Sequence, residues 1–325
     1  MEQNIKSRVL GVDISVKSTT YAIVDVRGNI IAQDSFPTSD YPNVNEYVSV
    51  LSEKVIMLTE ANGGYETIRS MGISSPSGNF LTGCIENPPN LPWKGVVPLA
   101  AMLRDRLGIS VALGNDAHVT ALGEFTFGSA HGMKNFIIIS LGHGIGSCIF
   151  SDGEAHLGAD GFAGEIGHTC VEHNGRECGC GRKGCFEAYV AEKGIVATAR
   201  ILMEKDPSDS LMRSLDELNP KTICDCCEKG DAMAIEVYRR TGTLLGRVVA
   251  IYATIADPEA IIFTGGISNV GHWLFDPAHE EFEKQVFHRK KGKVRFLRSA
   301  INDRVRDVLG ASALAWGIKE YSLFK

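Results

Sequence analysis

No apolar run in this chain approaches the ~18 residues needed to cross a bilayer, and no leader with a charged start and an apolar middle precedes the first strand-like segment. A membrane or secreted protein is therefore not expected, and the cytoplasm is. Grouped basic charge is also missing. Lys and Arg number 33 against 39 Asp and Glu, the formal net charge is −6, and the run His288-Arg289-Lys290-Lys291 is short. A nucleic-acid partner is not expected, since binding one requires clustered cations to neutralise phosphates. Long linkers and low-complexity tracts are absent too. What remains, with 44% hydrophobic and 22% charged residues in 325, is an ordinary globular chain of two domains with a sizeable core.

The nine cysteines are odd in number, which in a chain of this length without a leader argues against a disulfide framework. Three of them crowd one segment. Residues 165–187 read EIGHTCVEHNGRECGCGRKGCFE, so Cys178, Cys180 and Cys185 form a C-x-C-x4-C cluster with His168 ten residues upstream. Thiolates and imidazole suit Zn²⁺, and four protein ligands leave no position open for water, so this spacing predicts a structural Zn²⁺ site. Gly179, Gly181 and Gly184 let the backbone wrap closely around an ion. Cys170 and His173 are substitute ligands by position. A second group, Cys224, Cys226 and Cys227, falls on a helix-like segment and is expected to be core. Trp316 is read as core, and Trp93 as lying over the mouth of a cleft.

A weak repeat organises the chain. Residues 8–34 give strand, small polar turn, β-branched strand, turn and strand, and residues 135–157 repeat that pattern with turn dipeptides that mark hairpins. Helix-like sequence covers 44–61, 97–107, 186–204 and 230–254, while 111–118 and 256–268 read as strands closing in a polar tip and a Gly-Gly turn. Two repeated hairpin units with alternating strands and helices imply two α/β lobes facing a cleft. Candidate ligand positions fall at strand ends: Asp13 in the first unit, Gly142, Gly144 and Gly146 in the matching turn of the second, and Gly265-Gly266 after the last strand. Glycine turns there present backbone N–H groups to phosphate oxygens.

The segments LGVDIS, GNDAH, SLGHGIGS, GFAGEIGH, CGCGRKGCFEAY, DPEAIIFTGGIS and GASALAWG occur in the order and spacing of the ROK family, which the whole chain resembles. The resemblance implies the actin-like, ribonuclease H-like ATPase fold, with lobes at 1–118 and 119–325 and a terminal helix near 308–322 packing back on the first lobe. ROK members are ATP-dependent hexose kinases or sugar-responsive repressors with a helix-turn-helix domain in front. The short stretch ahead of the first strand is expected to mark the kinase branch. By that resemblance Asp116 is the general base that takes the proton of the sugar hydroxyl, although an Asp here also reads as a helix N-cap. Glu165, His168 and Glu187, with Gly78, Asn90 and Asn115, complete the implied sugar set. ATP and Mg²⁺ are implied at Asp13, Ser15, Lys17, Gly142, His143, Gly144, Gly146, Gly265 and Gly266, and a homodimer is implied as the assembly.

This chain departs from the family on the nucleotide side. The usual Asp-x-Gly-Gly-Thr-Lys loop is here Asp13-Ile14-Ser15-Val16-Lys17-Ser18, His143 stands where Thr is usual, and Ala191 replaces a common Ser. Two functions are therefore carried forward: a kinase for glucose or a related hexose or N-acetylhexosamine, and a non-catalytic sugar-binding regulator that has kept the pocket and lost turnover.

Overall fold

The computed structural model describes residues 6–318, in two compact units formed by residues 6–132, 157–162 and 300–318, and by residues 133–156 and 163–299. The first unit therefore keeps residues 119–132, which a boundary after 118 assigns to the second. Its elements are β1 (Arg8–Ile14), β2 (Ser18–Asp25), β3 (Ile30–Pro37), α1 (Val44–Glu60), β4 (Ile68–Ser74), the short β5 (Gly78–Asn79), β6 (Cys84–Glu86) and β7 (Val96–Val97), then α2 (Leu99–Leu107), β8 (Ser110–Gly114) and α3 (Asp116–Phe127). The second unit holds β9 (Phe136–Leu141), β10 (Ile145–Ser151), β11 (Glu154–Ala155), α4 (Glu187–Val190), α5 (Glu192–Lys205), α6 (Pro220–Cys227), α7 (Ala232–Ala256), β12 (Ala260–Thr264), α8 (His272–Gln285) and β13 (Arg295–Arg298). A last helix, α9 (Arg306–Trp316), belongs to the first unit.

Each unit is built on a five-stranded sheet, and the two strand orders are the same. The first runs β3-β2-β1-β4-β8 and the second β11-β10-β9-β12-β13. In both, three antiparallel strands form a meander, and two further strands add parallel to its inner edge. Parallel strands are buried on both faces, and β1 shows how period-2 alternation serves this. Leu10, Val12 and Ile14 pack with Tyr47, Leu51 and Val55 of α1 and Leu103 of α2. Val9, on the opposite face, packs with Val308, Leu309 and Ala315 of α9.

That second face needs glycine. A Cβ at Gly11 would lie 2.4 Å from the Val308 carbonyl oxygen, and one at Gly72 only 1.9 Å from that of Ala311, so α9 can lie on the sheet only because both positions lack a side chain. In the second unit α7 and α8 approach through Gly242 and Gly246 in the same manner. Helix ends follow their local chemistry: Asn43 caps α1, Asn219 and Thr222 form a capping box on α6, and Gly108 closes α2 in the left-handed region.

Trp93 is not at an opening. It is buried in the first core, its ring 4.5 Å from that of Tyr47 and its Nε1 donating to the Tyr41 carbonyl, because the proline loop folds its apolar residues inward. Cys226 and Cys227 are buried in the second core, as their place on an amphipathic helix predicts. Among the described residues no helix is long and apolar enough to cross a membrane.

Candidate functional site

In the first unit the parallel strands bring Asp13, Ser74 and Gly114 into one row at their carboxyl ends, the place where α/β sheets present ligand-binding groups. Asn115 follows at once as the N-cap of α3, its side chain accepting from the Ala117 N–H at 2.8 Å. Capping is thus the work of Asn115. Asp116 is the first helical residue, exposed, with one carboxylate oxygen 2.8 Å from the same N–H. Gly78 is pressed against this end, since a Cβ there would lie 2.6 Å from the Gly114 carbonyl oxygen. Asn90 is exposed in the loop between β6 and β7, and no hydrogen bond ties it to Asn115 or Asp116.

Burial pushes the Asp13 carboxyl up to about 7, with Asp307 and Asp116 adding to the rise and Ser74 and Arg306 opposing it. Asp307 and Arg306 start α9, where Arg306 bonds the carboxylates of both Asp303 and Asp307. Nothing in the local pattern marked these two residues. Hard carboxylate oxygens such as those of Asp13 are of the type that could hold Mg²⁺. The turn between β1 and β2 is closed by Ser15, whose backbone N–H and hydroxyl both donate to the Ser18 carbonyl at 2.9 Å. Val16 and Lys17 are exposed at its tip, and Lys17 pairs with no carboxylate among the described residues.

The matching turn of the second unit, Gly142-His143-Gly144, is closed by the Gly142 N–H on the Gly144 carbonyl at 3.0 Å and is also held from outside. The Glu187 carboxylate accepts from the Ile145 N–H at 2.9 Å, and a Cβ on Gly144 would stand 2.6 Å from the same oxygen. Glu192 donates its N–H to the Gly142 carbonyl and places its carboxylate 2.5 Å from His143 Nδ1. Gly265 abuts this turn with φ of 85°, and a Cβ there would meet the Leu141 carbonyl oxygen at 2.4 Å, so the two glycine turns lie together where parallel β9 and β12 end. Gly146 is not in the turn. It lies in β10 opposite Ser140, because the turn needs only three residues. A cavity of ≈ 400 Å³ opens beside the turn, lined in part by His143, Arg176, Glu187 and Lys193.

His168, Cys178, Cys180 and Cys185 converge, with one ligand atom from each lying within 4.8 Å of all the others. Cys178 Sγ is 3.7 Å from His168 Nδ1 and Cys180 Sγ is 3.7 Å from Cys185 Sγ. Zn–S bonds of ~2.3 Å in a tetrahedron require sulfurs about 3.8 Å apart, so the donor set fits the ion. Cys170 and His173 stand outside the group. Glu187 links the two arrangements, since its other carboxylate oxygen lies 3.8 Å from Cys178 Sγ. Glu165 precedes the short turn Ile166–His168. Although its side chain is exposed overall, desolvation of the carboxyl raises its pKa, against the pull of His168 and with the push of Glu187.

The model of the ROK family matches residues 9–317. A glucokinase of Thermotoga maritima is 30% identical over 313 residues, covering 95% of this chain and 97% of that protein. The N-acetylglucosamine repressor of Escherichia coli O6:H1 is 26% identical, covering 94% of this chain and 74% of the repressor. Among solved structures, a ROK family glucokinase from Streptomyces griseus, in complex with glucose and AMPPNP, is similar with a TM-score of 0.76 at 27% identity, covering 95% of this chain and 99% of that one.

Proposed function

The chain belongs to the ROK family, and from that premise we propose that it is an ATP-dependent hexose kinase with Asp116 as general base. Its mixed sheets are those of the actin-like ATPase fold. The observation that carries the reading is at the start of α3, where Asn115 is the N-cap and the exposed Asp116 carboxylate follows it directly after the carboxyl end of β8.

In this reading Asp116 accepts the proton of the sugar hydroxyl as its oxygen attacks the γ-phosphorus of ATP, the bond to the β-bridging oxygen breaks, and ADP leaves. A positioned base of this kind contributes ~10²–10⁴-fold. Glu165 and Glu187 accept hydrogen bonds from sugar hydroxyls, and His168 offers Nε2 to the sugar while Nδ1 faces the thiols. The backbone N–H groups of His143 and Gly144 and the Lys17 ammonium meet phosphate oxygens, and Gly265 and Gly266 lie on the adenosine side. Mg²⁺ held by Asp13 would neutralise phosphate charge, and Zn²⁺ held by His168, Cys178, Cys180 and Cys185 would keep the 165–187 segment folded. The same reading makes the protein a cytoplasmic homodimer.

A second reading, a sugar-binding protein without turnover, is favoured by one feature. Ser15 spends its N–H and its hydroxyl on closing the first turn, so that neither is offered to phosphate. A coupled assay for ADP release over a panel of hexoses and N-acetylhexosamines, paired with calorimetry of Mg²⁺-ATP, separates the two. Turnover on at least one sugar is the expected result. Sugar binding with no nucleotide binding at millimolar ATP would defeat the kinase reading.

A further inference from the structure

Arg176 lies in the metal loop, two residues before Cys178, yet its side chain is spent elsewhere. Nη1 donates to the carbonyl oxygens of Ala188 at 3.3 Å and Gly194 at 2.8 Å, and Nη2 donates to Thr198 Oγ1 at 3.0 Å. The guanidinium carbon sits 4.6 Å from the centre of the Tyr189 ring. The backbone of the same residue is also tied down, with its N–H on the Tyr189 hydroxyl at 2.9 Å and its carbonyl accepting from Gly184 N–H at 2.7 Å, next to Cys185. A Cβ on Gly175 would stand 2.0 Å from that hydroxyl, so the loop is seated directly on α4.

The two elements gripped by Arg176 are the two that hold the glycine turn. Ala188 and Tyr189 follow Glu187 on α4, and Glu187 receives the Ile145 N–H. Gly194 and Thr198 belong to α5, which begins at Glu192, the partner of the Gly142 carbonyl and of His143. A planar fork of fixed donors suits this task, because it can fix three acceptors on two helices at once, whereas a lysine ammonium is a point charge on a flexible stem.

We propose that Arg176 is a positioning residue that couples the Cys3His loop to the Gly142–Gly144 turn through α4 and α5, so that a metal ion in the loop sets the rigidity of the turn. The metal is thereby more than a local staple, since removing it loosens the turn that faces phosphate as well as Glu187. This rests on the metal reading above and is independent of turnover. Groups that orient a metal site from outside its ligand shell commonly carry ~10–100-fold effects.

The test is amide hydrogen exchange at Ile145 and Glu192, whose N–H groups bond Glu187 and Gly142, with Ile262 in β12 as the internal control. In the wild-type protein, removing the metal with a chelator should speed exchange at Ile145 and Glu192 by about tenfold or more and leave Ile262 little changed. Arg176→Ala should exchange fast at both amides while still holding its metal, and chelation should then add little. Arg176→Lys should resemble the alanine variant, because charge alone does not restore the fork. Thr198→Val, which removes a single acceptor at nearly constant volume, should give a smaller acceleration in the same two amides and serves if Arg176→Ala does not fold. Wild-type rates at Ile145 and Glu192 in a metal-loaded Arg176 or Thr198 variant would overturn the proposal, as would parallel acceleration of Ile262, the mark of general destabilisation. Metal analysis on the same samples reads the premise separately: a wild-type protein that takes up no metal ends the metal reading, and this inference with it.

Discussion

The turn between β1 and β2 and the turn between β9 and β10 occupy the same place in two sheets of the same strand order, yet different side chains reinforce them. The first is closed locally by Ser15 on Ser18. The second is closed by a single backbone bond, Gly142 N–H to the Gly144 carbonyl at 3.0 Å, and is braced by Glu187 and Glu192, more than forty residues away. A repeated topology has thus been equipped once with a turn closed by a serine side chain and once with a glycine turn braced by carboxylates from a distant segment. Each solution exposes a different weakness.

The largest effect is expected where the second turn depends on the metal loop. Cys180→Ser should reduce metal from about one equivalent to well under half, and should abolish activity, since structural zinc contributes directly to folding and Glu187 loses its support. Metal analysis and sugar calorimetry check it, and full metal content in the variant would break the contrast between the turns. Next comes Asp116, in the first unit and not one of the Cys3His ligands. Asp116→Asn should lower kcat by ~10²–10⁴ with sugar affinity nearly unchanged and metal content intact, as steady-state kinetics and calorimetry would read.

Lys17→Ala sharpens the comparison by asking whether the first turn touches phosphate at all. Loss of one charge-assisted contact of about 1.5 kcal/mol corresponds to roughly a tenfold rise in the KM for ATP, with a lower kcat and unchanged sugar binding. An unaltered KM would place the phosphate contacts in the glycine turn alone. The smallest effect is a pH dependence. Asp13 titrates at about 7 in the folded chain against an ordinary 3.8, so between these values the folded state holds more protons than the unfolded one. Stability from this group therefore falls as pH rises through that window and is flat above it. Asp13→Asn should gain roughly a few degrees in unfolding temperature over wild type at pH 8 and nothing at pH 4, which thermal scans at the two pH values would show.

How much of this could be read from the chain follows from the range of the forces. The repeated hairpins and the Cys3His segment are written within about twenty residues each, and both appear where the pattern put them. Gly146 was read as turn because glycine is common in turns, but strand register put it opposite Ser140. Trp93 was read as lying over a cleft mouth because it follows the proline loop, but the pull of apolar burial is stronger than that of local loop character. Asp307, Arg306, Glu192 and Arg176 were not found at all. Each is an ordinary charged residue at a helix start or in a loop, and the group it acts on, Asp13 for Asp307 and Arg306, His143 for Glu192, α5 for Arg176, lies outside its own local segment.

By itself the sequence determined which segments could become strands and which residues could bind metal, because periodicity and ligand spacing act over short stretches of chain. Only the tertiary structure decided that Asp13 would lose its water beside Asp307, that Glu187 would press on Gly144, and that one arginine of the metal loop would grip the two helices holding the glycine turn. Those relations depend on close approach between segments far apart in the chain. Desolvation and hydrogen-bond geometry act over a few ångströms of space, which no local pattern of residues records.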